Sequence, residues 1–457
     1  MAQFTMSPAG RQYSAAASLA AMGMVLQREN LFGPIRERVK IAQKTIKDGP
    51  LDKLQDAFIT ILAGGRGLVA VNSVLRPDVA LQRAVGRQRC AEQSVVQDTL
   101  DACSEENVAQ LAEALAVLFR RHSQSCRHDY AASWLVVDVD LSGLPCGEKA
   151  ALATKGYFPK QRGKRGRQLG RVLVRAYQEV VVDQLFPGST NLASAFRPLM
   201  QAAEQVLGAS DAQRARTILC VDAGGGTVED LNWALAHGYQ LHAKDFTSAR
   251  VRRLAGSITQ WYDDPKVAGR QVAQVEGETD LYLRPLVRIA VRRRRRNGQW
   301  AEGIILSSLT AAQVLALSGG PPEPLASPQE RLLAYVYFYD QRGGGVETAL
   351  KSDKQGLGLT KRNKKRLAAQ EMVMLLGQLA HNVLLWCRHW LASEPKLASL
   401  GVQRLVRDLF HIAGFLALSE LGGQVVLNQA AQLASELVAA LRPLLLPLHV
   451  DISLGQI

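Results

Sequence analysis

Apolar residues recur at helical spacing through roughly the first 130 positions, most clearly over 51–62 and 108–119, so this stretch is expected to be mainly helical. Ser94 and Ser104 stand where helix caps belong. Residues 90–100 (CAEQSVVQDTL) read in two ways: a short helix, turn and second helix able to read DNA, or part of a plain helical bundle. From Ser133 the pattern changes. Trp134-Leu-Val-Val-Asp-Val-Asp140 is a compact β-branched run that predicts a buried strand ending in carboxylates, and Thr217-Ile-Leu-Cys-Val-Asp222 repeats the theme. Between them, 172–185 is expected to hold another strand and a helix.

Short alternating segments fill about 246–300, including Leu281-Tyr-Leu283 and Leu286-Val-Arg-Ile-Ala-Val291, and predict a mostly β insertion. A further buried strand is expected at Gly303-Ile-Ile-Leu306, followed by the loop Gly319-Gly-Pro-Pro-Glu-Pro324. Residues 346–457 are expected to be chiefly helical, with Met372, Leu375, Leu379, Val383 and Trp386 on one face. Strands that deliver acids from their ends, with helices interleaved, indicate an α/β domain whose site lies at the strand ends.

The chain has 457 residues, 47% of them hydrophobic and 21% charged, so a large core can form without disulfides. Its net charge of +14 favours polyanionic partners, nucleic acid foremost. The six cysteines show neither C-x-x-C pairs nor zinc-type spacing, which suits free thiols in a reducing compartment. No apolar run reaches membrane-spanning length, because Arg442, Pro443 and Pro447 interrupt the one at 441–450. A cytoplasmic protein is expected.

Three acidic segments hold the candidate chemistry: Asp138-Val-Asp-Leu-Ser142, Val221-Asp-Ala-Gly-Gly-Gly226, and Tyr339-Asp-Gln-Arg-Gly-Gly-Gly-Val-Glu-Thr348. Carboxylates brought together from different elements can hold two hard Mg²⁺ ions, which activate water and stabilise a leaving oxygen. The third segment resembles the Y-x-x-R-x-x-x-E-x-x-x-x-x-x-K signature of a large group of bacterial insertion-sequence transposases of the DDE type. Tyr339, Arg342, Glu347 and Lys354 take its places, although four residues rather than three separate Arg342 from Glu347. Lys351 and Lys354 follow Glu347 at four and seven positions, so one helical face carries all three.

The resemblance covers about 131–390. It implies an RNase H-like catalytic core with a β-rich insertion, flanked by helical regions at 1–130 and 391–457. It implies Asp140, Asp222 and Glu347 as catalytic ligands of two Mg²⁺ or Mn²⁺ ions, with Asp140-Leu-Ser142 matching the first motif better than Asp138. It further implies cleavage at element ends and strand transfer, DNA as partner (terminal inverted repeats and target), a homodimer in the active complex, and a prokaryotic host. The first 130 residues, a possible end-binding region, match only vaguely.

Basic runs flank the acids: Lys155, Lys160, Arg162, Lys164, Arg165, Arg167 and Arg171; Arg292 to Arg296; and Lys361 to Arg366. They suggest a phosphate-lined channel, with Arg165, Arg167 and Arg294 as DNA contacts beside Tyr339, Arg342, Lys351 and Lys354. Arg342 and Lys354 are expected at the surface. Trp261 and Trp300 suit core packing or stacking on an unpaired base. His237 and His242 lack partners at metal-ligand spacing. Two other readings remain open. Asp222-Ala-Gly-Gly-Gly-Thr227 is similar to the phosphate loop of actin-like ATPases, and an inactive transposase relic would bind DNA without cutting it.

Overall fold

The computed structural model describes residues 10–44, 47–158, 161, 163–276, 281–419 and 421–457. The basic-run residues Lys160 and Arg162 fall outside them. The chain forms two compact units, one of Met1–Ser123, Pro145–Ala153 and Leu350–Ile457, the other of Gln124–Leu144 and Thr154–Ala349.

The first unit is helical around Pro50–Leu62, Glu105–His122 and Leu367–Trp390. Ser104 caps its helix in a reciprocal box with Asn107, which satisfies two otherwise orphaned amide groups. Residues 90–100 do not make two helices: a single helix, Gln93–Asp101, begins after Glu92, and Ser94 lies inside it rather than capping it. The carboxyl-terminal region is not all helix. Gly414–Ser419, Gly422–Asn428 and Val450–Gly455 join Gln12–Ser14 in a four-stranded mixed sheet. Helix-favouring residues such as the leucines of 433–448 dominated the composition there and hid these short strands.

The second unit is built on a ten-stranded mixed sheet. Its centre is the strand Leu135–Pro145, parallel to Thr217–Val221, which is parallel in turn to Gln240–Lys244. All five residues of Thr217–Val221 are buried, as expected for a parallel strand covered on both faces. Residues 172–185 are a hairpin and not a strand plus helix: Arg165–Val174 pairs antiparallel with Glu179–Pro187. Three consecutive β-branched residues, Val180, Val181 and Val182, favour the second strand over a helix.

The expected β insertion begins with a helix, Ser248–Gly256. It then continues the same sheet, because Trp300–Ser307 pairs antiparallel with Gln240–Lys244 and is followed outward by Val287–Arg294, Arg270–Gln274 and Tyr262–Asp263. Helix Pro328–Asp340 buries Leu333, Tyr335, Val336 and Phe338 in a cluster with Val136, Ile218, Ile289 and Ile305 of the sheet. Each such side chain contributes roughly 1.5–3 kcal/mol by leaving water, so this helix is firmly seated. Its end leads directly into the Arg342–Glu347 segment.

Candidate active site

Register explains how two acids meet. Val139 pairs with Val221 in the parallel ladder, so Asp140 and Asp222 follow one step beyond the last pair on adjacent strands. The strand Leu135–Pro145 does not stop at its acids; it outlasts its neighbour, and Asp140 lies where that neighbour turns away. Asp222 begins a tight turn, its Oδ1 accepting from the Gly224 amide at 2.8 Å. Gly226 in that turn has no room for a side chain, since a Cβ would lie 1.8 Å from the Lys244 carbonyl oxygen.

Arg342 joins the third acid to the first. Its Nη2 donates to the Val139 carbonyl at 2.9 Å and stands 3.3 Å from Asp140, while Nη1 stands 3.6 Å from Glu347. The Asp140 side chain is 15% exposed and that of Glu347 59%. Burial pushes the Asp140 carboxyl up to about 6; Arg342 opposes this, and Asp222 and Glu347 add to it. Burial works against the charge on Arg342, but neighbouring acids, Asp140 first, hold its pKa above the ordinary value.

This placement corrects two expectations. Arg342 is not a surface residue: it is buried, and its Nε has no hydrogen-bond partner. Arg167 is likewise buried, at 1% exposure, so it cannot meet phosphate as a surface contact. Arg165 and Arg294 are exposed, as is Lys351; Lys354 is half-buried on the same helix as Glu347, Val346–Gly356.

Tyr339 is buried beneath the site, with the Lys244 ammonium 4.4 Å from its ring centre. Sequence reasoning missed Lys244. Burial lowers its pKa, with Asp340, Asp222 and Glu347 among its charged neighbours. The signal was the alternation after Gly238, which makes Gln240–Lys244 a strand beside the Asp222 strand. Lys244 also lines a cavity of about 650 Å³ with Ala223, Arg252, Arg270, Arg293 and Arg295. Arg292 is not free for phosphate: its guanidinium stacks between Trp261 and Trp300, 4.0 and 4.4 Å from the ring centres. His242 is buried and neutral, its pKa lowered to about 3 by burial.

The donor set is chemically suited to a hard cation, since it offers carboxylate oxygens, and burial, with the neighbouring acids adding to it, already raises the Asp140 pKa. Among the described residues, no three His, Cys, Asp or Glu side chains converge closely enough to hold an ion as they stand. Arg342 supplies the positive charge between two of the acids.

The family described as "Transposase DDE domain group 1" matches residues 5–445. The chain belongs to this family: it is a DDE transposase, an enzyme of DNA cleavage and strand transfer, and the family generally uses divalent metal ions. No curated protein matches it. Among solved structures, the chain is similar to piggyBac transposase in a synaptic complex with hairpin DNA, at 12% identity and a TM-score of 0.44, covering 94% of this chain and 82% of that one. Among the described residues, no helix is long and apolar enough to cross a membrane.

Proposed function

We propose that this transposase cuts the ends of its own element and joins them to target DNA with Asp140, Asp222 and Glu347 holding two Mg²⁺ ions, for which Mn²⁺ substitutes. The observation that carries the reading is the arrival of Asp140 and Asp222 in register on adjacent parallel strands, with Arg342 linking Asp140 to Glu347. When bound, such ions activate water and stabilise the leaving 3′ oxygen. Lys351 and Lys354 follow Glu347 on one helical face and are assigned to the phosphates of the scissile strand. Arg165 and Arg294 track the duplex, Tyr339 supports the floor, and Arg342 keeps two like-charged acids together until metal enters.

An RNase H-like core fits the second unit, with the sheet edge over about 246–300 as its β-rich extension. The amino-terminal helices are assigned to end binding, the ends being terminal inverted repeats, and a homodimer would bring two ends together. Asp140→Ala, Asp222→Ala and Glu347→Ala should each lower Mg²⁺-dependent single-turnover cleavage of an element end by at least about 1,000-fold, with end affinity nearly unchanged. Cleavage surviving any one of these changes would remove that residue from the site, and end binding without cleavage by the unaltered protein would mark an inactive relic.

A further inference from the structure

Asp138 stands two residues before Asp140 on the same strand and is completely buried. It holds Arg175 in a two-pronged pair, Nη2 to Oδ1 at 2.5 Å and Nε to Oδ2 at 3.0 Å. Arg175 immediately follows the strand Arg165–Val174, and its amide donates to the Val136 carbonyl at 2.9 Å. From this fixed base the guanidinium reaches the end of the Pro328–Asp340 helix. It lies 5.4 Å from the Phe338 ring centre and donates to the Phe338 carbonyl at 3.5 Å.

The pair also meets the far side of the same segment. A Cβ on Gly345 would lie 2.3 Å from Asp138 Oδ2 and 3.3 Å from Arg175 Cγ, whereas Gly343 and Gly344 have open space around theirs. Gln178 adds a further tie, donating to the carbonyls of Arg175 and Gly344 at 3.3 Å each. Contacts therefore bracket Arg342 on both sides, at Phe338 and at Gly344 and Gly345. Three successive residues of one strand then divide the work. Asp138 seats the turn through Arg175, the Val139 carbonyl accepts from Arg342, and Asp140 faces the guanidinium.

We propose that Asp138 and Arg175 are positioning residues that latch the Gln341–Glu347 segment onto the Asp140 strand and so set where Glu347 meets the other two acids. Resting on the proposed role of Glu347, this adds a reason for two features of the sequence. The second aspartate of Asp-Val-Asp is the one facing the site, and the first is the buried anchor of the segment that brings the third acid. Of the three consecutive glycines, only Gly345 is sterically required, because the anchor occupies the space of its side chain.

Arg175→Lys and Gly345→Ala test the latch without emptying the pair's place. Lys keeps the charge but loses the two-pronged geometry, and the added methyl group cannot coexist with Asp138 where it stands. In metal-free protein, amide exchange over 341–347 should quicken at least about tenfold in both variants while the strand Thr217–Val221 keeps its protection, a contrast that general destabilisation would erase. With Mg²⁺ and an element end, single-turnover cleavage should fall about 10- to 100-fold and the Mg²⁺ midpoint should rise, with end affinity unchanged. Unaltered exchange over 341–347 overturns the latch, as does quicker exchange with an unmoved metal midpoint. If the unaltered protein does not cleave at all, the proposed site fails, and the latch then stands or falls on exchange alone.

Discussion

Asp138 and Asp140 sit on the same side of one strand, each beside an arginine, yet one pair is closed and the other open. Asp138 is fully buried and both its oxygens are matched by Arg175. Asp140 keeps some exposure, faces Arg342 at 3.3 Å without a two-pronged fit, and leaves the Arg342 Nε without a partner. A charge that must stay buried needs complete pairing. If Asp140 holds a metal, as proposed, it cannot be fully satisfied beforehand, and its incomplete pairing would leave binding energy to be gained there.

The strongest way to break this contrast is to remove the closed pair's charge. Asp138→Asn leaves the largely buried Arg175 without its counter-ion and should destabilise the unit by up to about 3–5 kcal/mol, the usual cost of orphaning one member of a buried pair. Chemical denaturation monitored with the Trp side chains of the same unit measures it. A loss under about 1 kcal/mol would show that water or rearrangement already serves Arg175, and the distinction between the two aspartates would weaken.

The same substitution at the open site should act in the opposite direction. Asp140 has its carboxyl pushed from 3.8 to about 6, which corresponds to about 3 kcal/mol at about 1.4 kcal/mol for each tenfold change in proton affinity. A raised carboxyl pKa means that the folded state holds the proton longer, so stability contributed by the protonated form is complete below pH 4 and is lost as pH rises through 6. Asp140→Asn should therefore stabilise metal-free protein at pH 7 by up to about 3 kcal/mol, with the advantage vanishing below about pH 4. An advantage that persists in acid would mean that packing, not ionisation, separates the two proteins.

How much of this was legible in sequence follows from range. The strands 135–145 and 217–221 announced themselves through β-branched apolar runs, and the spacing of Glu347 to Lys354 suited the helix Val346–Gly356 that carries both, because those signals are local. The pairing of Asp138 with Arg175 joins residues 37 positions apart, and nothing in either neighbourhood marks it. The same limit hid the depth of Arg342 and Arg167: a basic residue in a basic run reads as solvated until a fold places it under other elements. It also hid Lys244: alternation marks its short strand, but only the neighbours on both sides place that strand beside the Asp222 strand.

The smallest expected effect concerns the arginines meant for DNA, and it carries the closed-versus-open contrast to the surface. Arg294 is exposed at the end of the Val287–Arg294 strand, and Arg167 is buried although both lie in basic runs. A phosphate contact releases counterions, so neutralising one phosphate contributes about −0.9 to the log–log dependence of affinity on salt. If Arg294 meets a phosphate, Arg294→Ala should flatten the slope by about 0.9 and lower end affinity modestly at moderate salt, with the melting temperature nearly unchanged. Arg167→Ala should do the reverse, lowering the melting temperature through lost packing and buried interactions while leaving the slope of the folded fraction intact. Filter binding across a salt series, paired with thermal unfolding of each variant, separates the two. A flattened slope for Arg167→Ala would mean that the buried guanidinium emerges on DNA, and an unmoved slope for Arg294→Ala would take this arginine off the DNA path.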